Sequence, residues 1–91
     1  MSERPYRVEL SPAAQRQLAG LPPGVAAQLR SPILALGLEP RPAGIAKLAG
    51  TSFWRILIGG LRVIFSIDDA ARVVIILRVA RRSESTYRRV R

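Results

Sequence analysis

Cysteine and histidine are both absent from this sequence. Without cysteine there is no disulfide, no thiolate nucleophile and no thiolate metal ligand, and a cytoplasmic location is the expectation. Without histidine the commonest metal ligand and the commonest general base at neutral pH are missing too, so neither a metal nor another cofactor is expected. No stretch reaches the ~18 apolar residues of a membrane span, and Met1-Ser2-Glu3-Arg4-Pro5 has no apolar run behind it of the kind that marks export. Acidic residues are scarce, six against fifteen basic ones, and Lys47 is the only lysine.

What remains is a chain of 91 residues with a formal charge of +9. That length makes one domain, residues 1–91. A domain of this size buries only about 60% of its unfolded surface, so a partner adds useful stability. The charge is uneven: residues 1–45 hold five basic and three acidic side chains, whereas residues 46–91 hold ten and three. Fourteen of the fifteen basic residues are arginine, whose planar fork grips a phosphate through two hydrogen bonds and stacks on bases. Such a balance points to nucleic acid or a ribonucleoprotein, the alternatives being a solvated basic surface or an acidic protein partner.

The chain is organised around the stretch from Phe53 to Val79. Phe53-Trp54-Arg55-Ile56-Leu57-Ile58, Leu61 to Ile67 and Arg72 to Val79 are rich in β-branched and aromatic residues. Gly59-Gly60 and Asp68-Asp69-Ala70-Ala71 separate them, the pattern of a three-stranded antiparallel meander. A two-residue Gly-Gly loop pairs Ile58 with Leu61, hence Leu57 with Arg62 and Arg55 with Ile64. Arg55, Leu57, Arg62 and Ile64 then share one face. Trp54, Ile56, Ile58, Leu61, Val63, Phe65 and Ile67 form the other, an apolar surface that calls for a cover of helices. Arg55 and Arg62 become diagonal neighbours about 7–8 Å apart at the backbone, close enough for two guanidinium groups to hold one phosphate.

Upstream, Tyr6-Arg7-Val8-Glu9-Leu10 alternates as a half-buried strand does and joins the sheet. Ser11-Pro12 supplies an N-cap and a proline at the first helical position, opening a helix over Pro12 to Ala19. Gly20-Leu21-Pro22-Pro23-Gly24 ends it. Val25, Leu29, Ile33 and Leu36 then form the apolar stripe of a second helix, Val25 to Leu36, with Gly37 as its stop. Pro32 removes a donor inside that helix and crowds the preceding turn, so a kink or a restart is expected there. Glu39 to Gly50 reads as a proline- and glycine-punctuated loop. Val73 to Val79, apolar at both parities until Arg78, suits a central strand covered on both faces. Placing the N-terminal strand beside it leaves the Trp54 strand at an edge, where Arg55 would discourage stray pairing.

The fold class is therefore α+β: an N-terminal strand, a two-helix hairpin and a three-stranded antiparallel meander (β-α-α-β-β-β), with the helices on one face of the sheet. Trp54 reads as core, and Asp68 and Asp69 as turn residues rather than metal ligands. The chain ends Arg81-Arg82-Ser83-Glu84-Ser85-Thr86-Tyr87-Arg88-Arg89-Val90-Arg91, with five arginines, one acid and one aromatic.

In the order of these elements the chain resembles the RelE/ParE superfamily of bacterial toxins. The resemblance is carried by the loop ending Lys47-Leu48-Ala49-Gly50, by Trp54-Arg55-Ile56, by Gly59-Gly60-Leu61-Arg62-Val63-Ile64-Phe65-Ser66-Ile67-Asp68-Asp69, and by Arg81-Arg82-Ser83-Glu84 with Tyr87. It implies a toxin of a type II toxin-antitoxin system. In RelE-type members that toxin is a ribosome-dependent messenger endoribonuclease neutralised by a cognate antitoxin; the ribose 2′-hydroxyl attacks the adjacent phosphate and no metal is required. Carried onto this chain, the resemblance implies catalytic roles for Arg55, Arg62, Arg82 (or Arg81) and Tyr87. Lys47, Arg78, Arg81 and Arg88 are then RNA contacts, and ribosome, messenger and antitoxin the partners. Arginines stabilise the charge that develops on a phosphorane, and a tyrosine stacks on a base or exchanges a proton.

The chain departs from the pattern at Leu57, where active members commonly carry a second basic residue, and in having no carboxylate between Lys47 and Trp54. Arginine is a poor proton acceptor at neutral pH, so the general base is unassigned, with Tyr87 and Glu84 as candidates. A ParE-like inhibitor of DNA gyrase and an inactive homologue that only binds antitoxin are the alternatives.

Overall fold

The computed structural model of the chain describes residues 5–81. Its elements are β1 (Arg7–Leu10), α1 (Pro12–Ala19), α2 (Pro23–Ala35), β2 (Ala46–Lys47), β3 (Trp54–Ile58), β4 (Leu61–Asp68) and β5 (Val73–Arg81). The strands form one sheet in the order β1-β5-β4-β3-β2, with β1 parallel to β5 and every other pair antiparallel. The α+β class, the two-helix connection and the place of β5 between two strands are as the sequence predicts, although the helices cover β5 on one face only. Ser11 caps α1, its Oγ accepting from the Ala14 N–H at 3.0 Å.

The β3–β4 register matches the glycine-loop argument at every pair, from Ile58 opposite Leu61 to Trp54 opposite Phe65. Gly59 takes φ 62° and is the member of the glycine pair with positive φ, the pattern of a II′ turn whose twist suits the flanking strands. Leu61, Val63 and Phe65 of β4 are buried with Val74, Ile76 and Val79 of β5, and both helices send their buried residues, Ala14 from α1 and Leu29 and Ile33 from α2, to this side. Ile76 and Val79 lie three apart yet are both buried, which strict alternation forbids. A register shift resolves this: Ile64 faces Arg78 while Phe65 faces Ile76, so Leu77 is an extra residue, a β-bulge.

Three expectations are corrected. The Trp54 strand is not an open edge, because β2 pairs with it through Ala46 opposite Arg55 and Lys47 opposite Trp54. A strand of two residues is too short to show alternation, which hid it in the loop between Gly44 and Gly50. The second helix begins two residues earlier than its apolar stripe, at Pro23, because proline is pre-set for a first helical turn. It also runs through Pro32 without a restart. The carbonyl that loses its partner there is that of Gln28, an exposed residue. Gly37 directly follows the C-cap Leu36, so the helix stops where the sequence predicts. The glycine is required by a close approach: a Cβ there would lie 2.8 Å from the Tyr6 carbonyl, and the Gly37 carbonyl accepts from Tyr6 N–H at 2.7 Å.

Candidate nucleic-acid interface

Residues opposite one another across a ladder project to the same side of the sheet. The registers therefore place Arg55, Ile64 and Arg78 in one row across β3, β4 and β5, with Leu57, Arg62 and Ala80 in the next row. This side is opposite to the helices. Arg62 is diagonal to both Arg55 and Arg78, about 7–8 Å from each at the backbone, and the outer two are about 10 Å apart across two strand spacings. Arg78 is exposed and the other two half-buried.

Among the described residues, none of these three arginines has an acidic partner. Glu9 pairs with Arg7 at 2.8 Å, Asp69 with Arg41 at 3.0 Å, and Asp68 Oδ1 accepts from the Ala71 N–H at 3.0 Å. Like charges at this spacing repel by on the order of 1–2 kcal/mol per pair near a protein surface. Arg62 is strained in a second way, because its Nε is buried with no hydrogen-bond partner. Leaving such a donor unpaired costs about 1–3 kcal/mol. An anion with several oxygens relieves both, and phosphate matches the fork of a guanidinium. Only arginine and apolar groups surround Arg62 in the two rows, so none of the groups there takes a proton readily at neutral pH.

The other sequence-predicted residues do not join this cluster. Lys47 projects to the helix side with Trp54, its Nζ 5.7 Å from the indole centroid, and Arg81 faces the same side opposite Leu61. Arg82, Tyr87, Arg88 and the candidate base Glu84 lie outside the described residues.

Three features carried no clear sequence signal. At the end of the sheet away from the hairpin, Tyr6 Oη donates to Asp69 Oδ1 at 2.6 Å, and Arg41 forks onto both Asp69 oxygens at 3.2 and 3.0 Å. These bonds, Arg41 first and Tyr6 second, lower the Asp69 carboxyl to about 2. Arg41 also lies 5.7 Å from the Trp54 ring, and Arg72, at φ 56°, stacks 4.8 Å from the Tyr6 ring. A groove of about 490 Å³ opens between α1, α2 and β1, lined by Val8, Leu10, Leu18, Leu29 and Leu34 among others, with Arg30 its one charged wall. Leu34 is 57% exposed there. The third is a pair of side chains, Ser11 at the N-cap of α1 and Gln17 within it, that bond to the backbone of β5: Ser11 Oγ donates to the Leu77 carbonyl at 3.0 Å and Gln17 Oε1 accepts from the Val79 N–H at 2.6 Å.

Among the described residues there is no group of three or more acidic, histidine or cysteine side chains that could hold a metal, and no helix long and apolar enough to cross a membrane.

The toxin of the RelBE2 toxin-antitoxin complex of Mycobacterium tuberculosis is similar at 31% identity, with a TM-score of 0.77 over 86% of this chain and 99% of that one. The archaeal RelE-RelB complex of Pyrococcus horikoshii follows at 28% identity and 0.76, over 87% and 97%. The intact RelBE complex of Escherichia coli shares the fold at 24% identity and 0.72, over 84% and 95%. No curated protein matches in sequence. The family model described as ParE toxin of type II toxin-antitoxin systems matches residues 8–86. The chain belongs to the RelE/ParE family of toxins of type II toxin-antitoxin systems.

Proposed function

We propose that this toxin is a ribosome-dependent messenger endoribonuclease, and that its open sheet face is where the scissile phosphate binds. The observation that carries the reading is the Arg55, Arg62 and Arg78 cluster, three cations without acidic partners among the described residues, one of them with a buried Nε that lacks an acceptor. In this reaction the 2′-oxygen loses its proton to a base and bonds to phosphorus. The bond from phosphorus to the 5′-oxygen then breaks and the leaving oxygen takes up a proton. The extra negative charge of the phosphorane falls on the non-bridging oxygens, where preorganised guanidinium groups stabilise it more than they stabilise the substrate. Tyr87 and Glu84 are the proposed proton-transfer groups, because the two rows around Arg62 supply none.

The same absence favours a second reading, a ParE-like gyrase inhibitor that uses the face for binding alone; the matching family model is that of ParE toxins. Purified toxin added to ribosomes programmed with a defined messenger, beside a DNA-gyrase supercoiling assay, separates the two. New messenger 5′ ends that appear only with ribosomes support the first. Intact messenger with arrested supercoiling supports the second, and no effect in either assay leaves a homologue that only binds antitoxin.

Neutralisation by a cognate antitoxin belongs to the same proposal. Several of the similar structures are toxin-antitoxin complexes, among them RelBE2 and a RelE-RelB complex. The apolar groove between α1, α2 and β1, on a chain of charge +9, suits an acidic amphipathic segment. Leu34→Asp is expected to weaken antitoxin binding at least tenfold by placing a charge on the groove wall; unchanged affinity in a titration would move the antitoxin to another surface.

A further inference from the structure

The phosphate site described above needs Arg78 on the open face, and an alternating strand would not put it there. Ile76 and Val79 are both in the core, so one of the two residues between them must be extra. If the extra residue were Arg78, Leu77 would stand opposite Ile64 and the arginine would fall out of the ladder. With the extra residue at Leu77, as observed, Arg78 stands opposite Ile64 and diagonal to Arg62. Burial of Ile76 and Val79 is satisfied by either placement, so the hydrophobic pattern alone does not choose between them.

The choice is made from outside the ladder. β1 stops at Leu10, and its last link to β5 runs from the Ser11 N–H to the Ile76 carbonyl at 2.9 Å. Beyond that point, among the described residues, no strand lies along the outer edge of β5. Ser11 Oγ takes the Leu77 carbonyl at 3.0 Å, and Gln17 Oε1 takes the Val79 N–H at 2.6 Å. The two bonds bracket Arg78 and hold the backbone on either side of it. We propose that α1 pins the bulge at Leu77 and that Gln17 is a positioning residue which, through that bulge, sets Arg78 beside Arg62. The inference rests on the phosphate-site reading, and its test keeps the two apart.

The assay is anisotropy of a short fluorescein-labelled oligoadenylate binding the full chain over a range of salt. Each phosphate contact on a single strand adds about 0.7 to the slope of log affinity against log salt. Arg78→Ala is expected to lower the slope by about that amount, and Gln17→Leu to do the same; the double variant should fall no further. A loss of folded protein changes the amount that binds but not this slope, so the readout separates positioning from simple destabilisation. A variant lacking Leu77 provides the complement: its ladder is regular with Arg78 still opposite Ile64, so it should keep the slope even when combined with Gln17→Leu. A normal slope for Gln17→Leu beside a lowered one for Arg78→Ala overturns the clamp alone, as does a lowered slope on removing Leu77. Unchanged slopes for both Arg62→Ala and Arg78→Ala overturn the phosphate site, and the clamp falls with it.

Discussion

Replacing Arg62 by methionine is expected to strengthen the fold while abolishing toxicity. Methionine keeps an unbranched stem to pack on the sheet and removes three things: the charge, the donors and the buried Nε without a partner. The unpaired donor costs about 1–3 kcal/mol and repulsion from Arg55 and Arg78 on the order of 1–2 kcal/mol per pair, before solvent and salt reduce the second contribution. A net gain of about 1–3 kcal/mol follows. For a domain of this size each kcal/mol moves the midpoint of thermal unfolding by roughly 4–8 °C. Urea unfolding at low and high salt separates the parts. The repulsive share should fade near 1 M salt, where the Debye length is about 3 Å, and the Nε share should persist. Added phosphate should stabilise the natural chain more than the variant, because only the former binds it well. A variant less stable than the natural chain by ~1 kcal/mol or more would refute the claim that Arg62 is held in a site awaiting an anion.

Asp69 titrates near 2 in the folded chain against an ordinary value of 3.8. Because the folded value is the lower one, the Arg41–Asp69–Tyr6 contacts stabilise above the ordinary value and are lost as pH falls toward 2. Acid unfolding followed by circular dichroism should show this limb, and Asp69→Asn should flatten it. Gly37→Ala would push a Cβ to 2.8 Å from the Tyr6 carbonyl and should cost about 1–3 kcal/mol in urea unfolding. Phe65→Ala removes a side chain that is 0% exposed and should cost about 3–5 kcal/mol, enough to leave the domain marginal.

The hairpin register could be read from Gly59-Gly60 because a two-residue loop leaves no freedom once both flanking strands alternate, and it brought Arg55 and Arg62 together without a structure. Arg78 was named but its side of the sheet could not be deduced, since one extra residue reverses the parity of everything after it. The residues that settle the matter, Ser11 and Gln17, act through the β5 backbone more than sixty positions away, where no pattern of side chains records them. Lys47, an RNA contact by the resemblance, pairs in β2 opposite Trp54 and lies with it on the helix side. Asp69 is the turn residue the sequence predicts, whereas Asp68 closes β4 opposite Val73, and the Arg41 fork onto Asp69 depends on how a loop crosses the end of the sheet.

The most direct test of the account is to express the protein in bacteria without an antitoxin and map messenger 5′ ends shortly after induction, with Arg62→Met alongside. The methionine variant is expected to fold at least as well, so a loss of cleavage cannot be assigned to unfolding. Cuts within translated codons that fall by about 100-fold or more in the variant are the predicted result, the scale set by loss of one preorganised donor to a developing oxyanion. Equal cutting by the two proteins, or arrested growth with messengers intact, would contradict it.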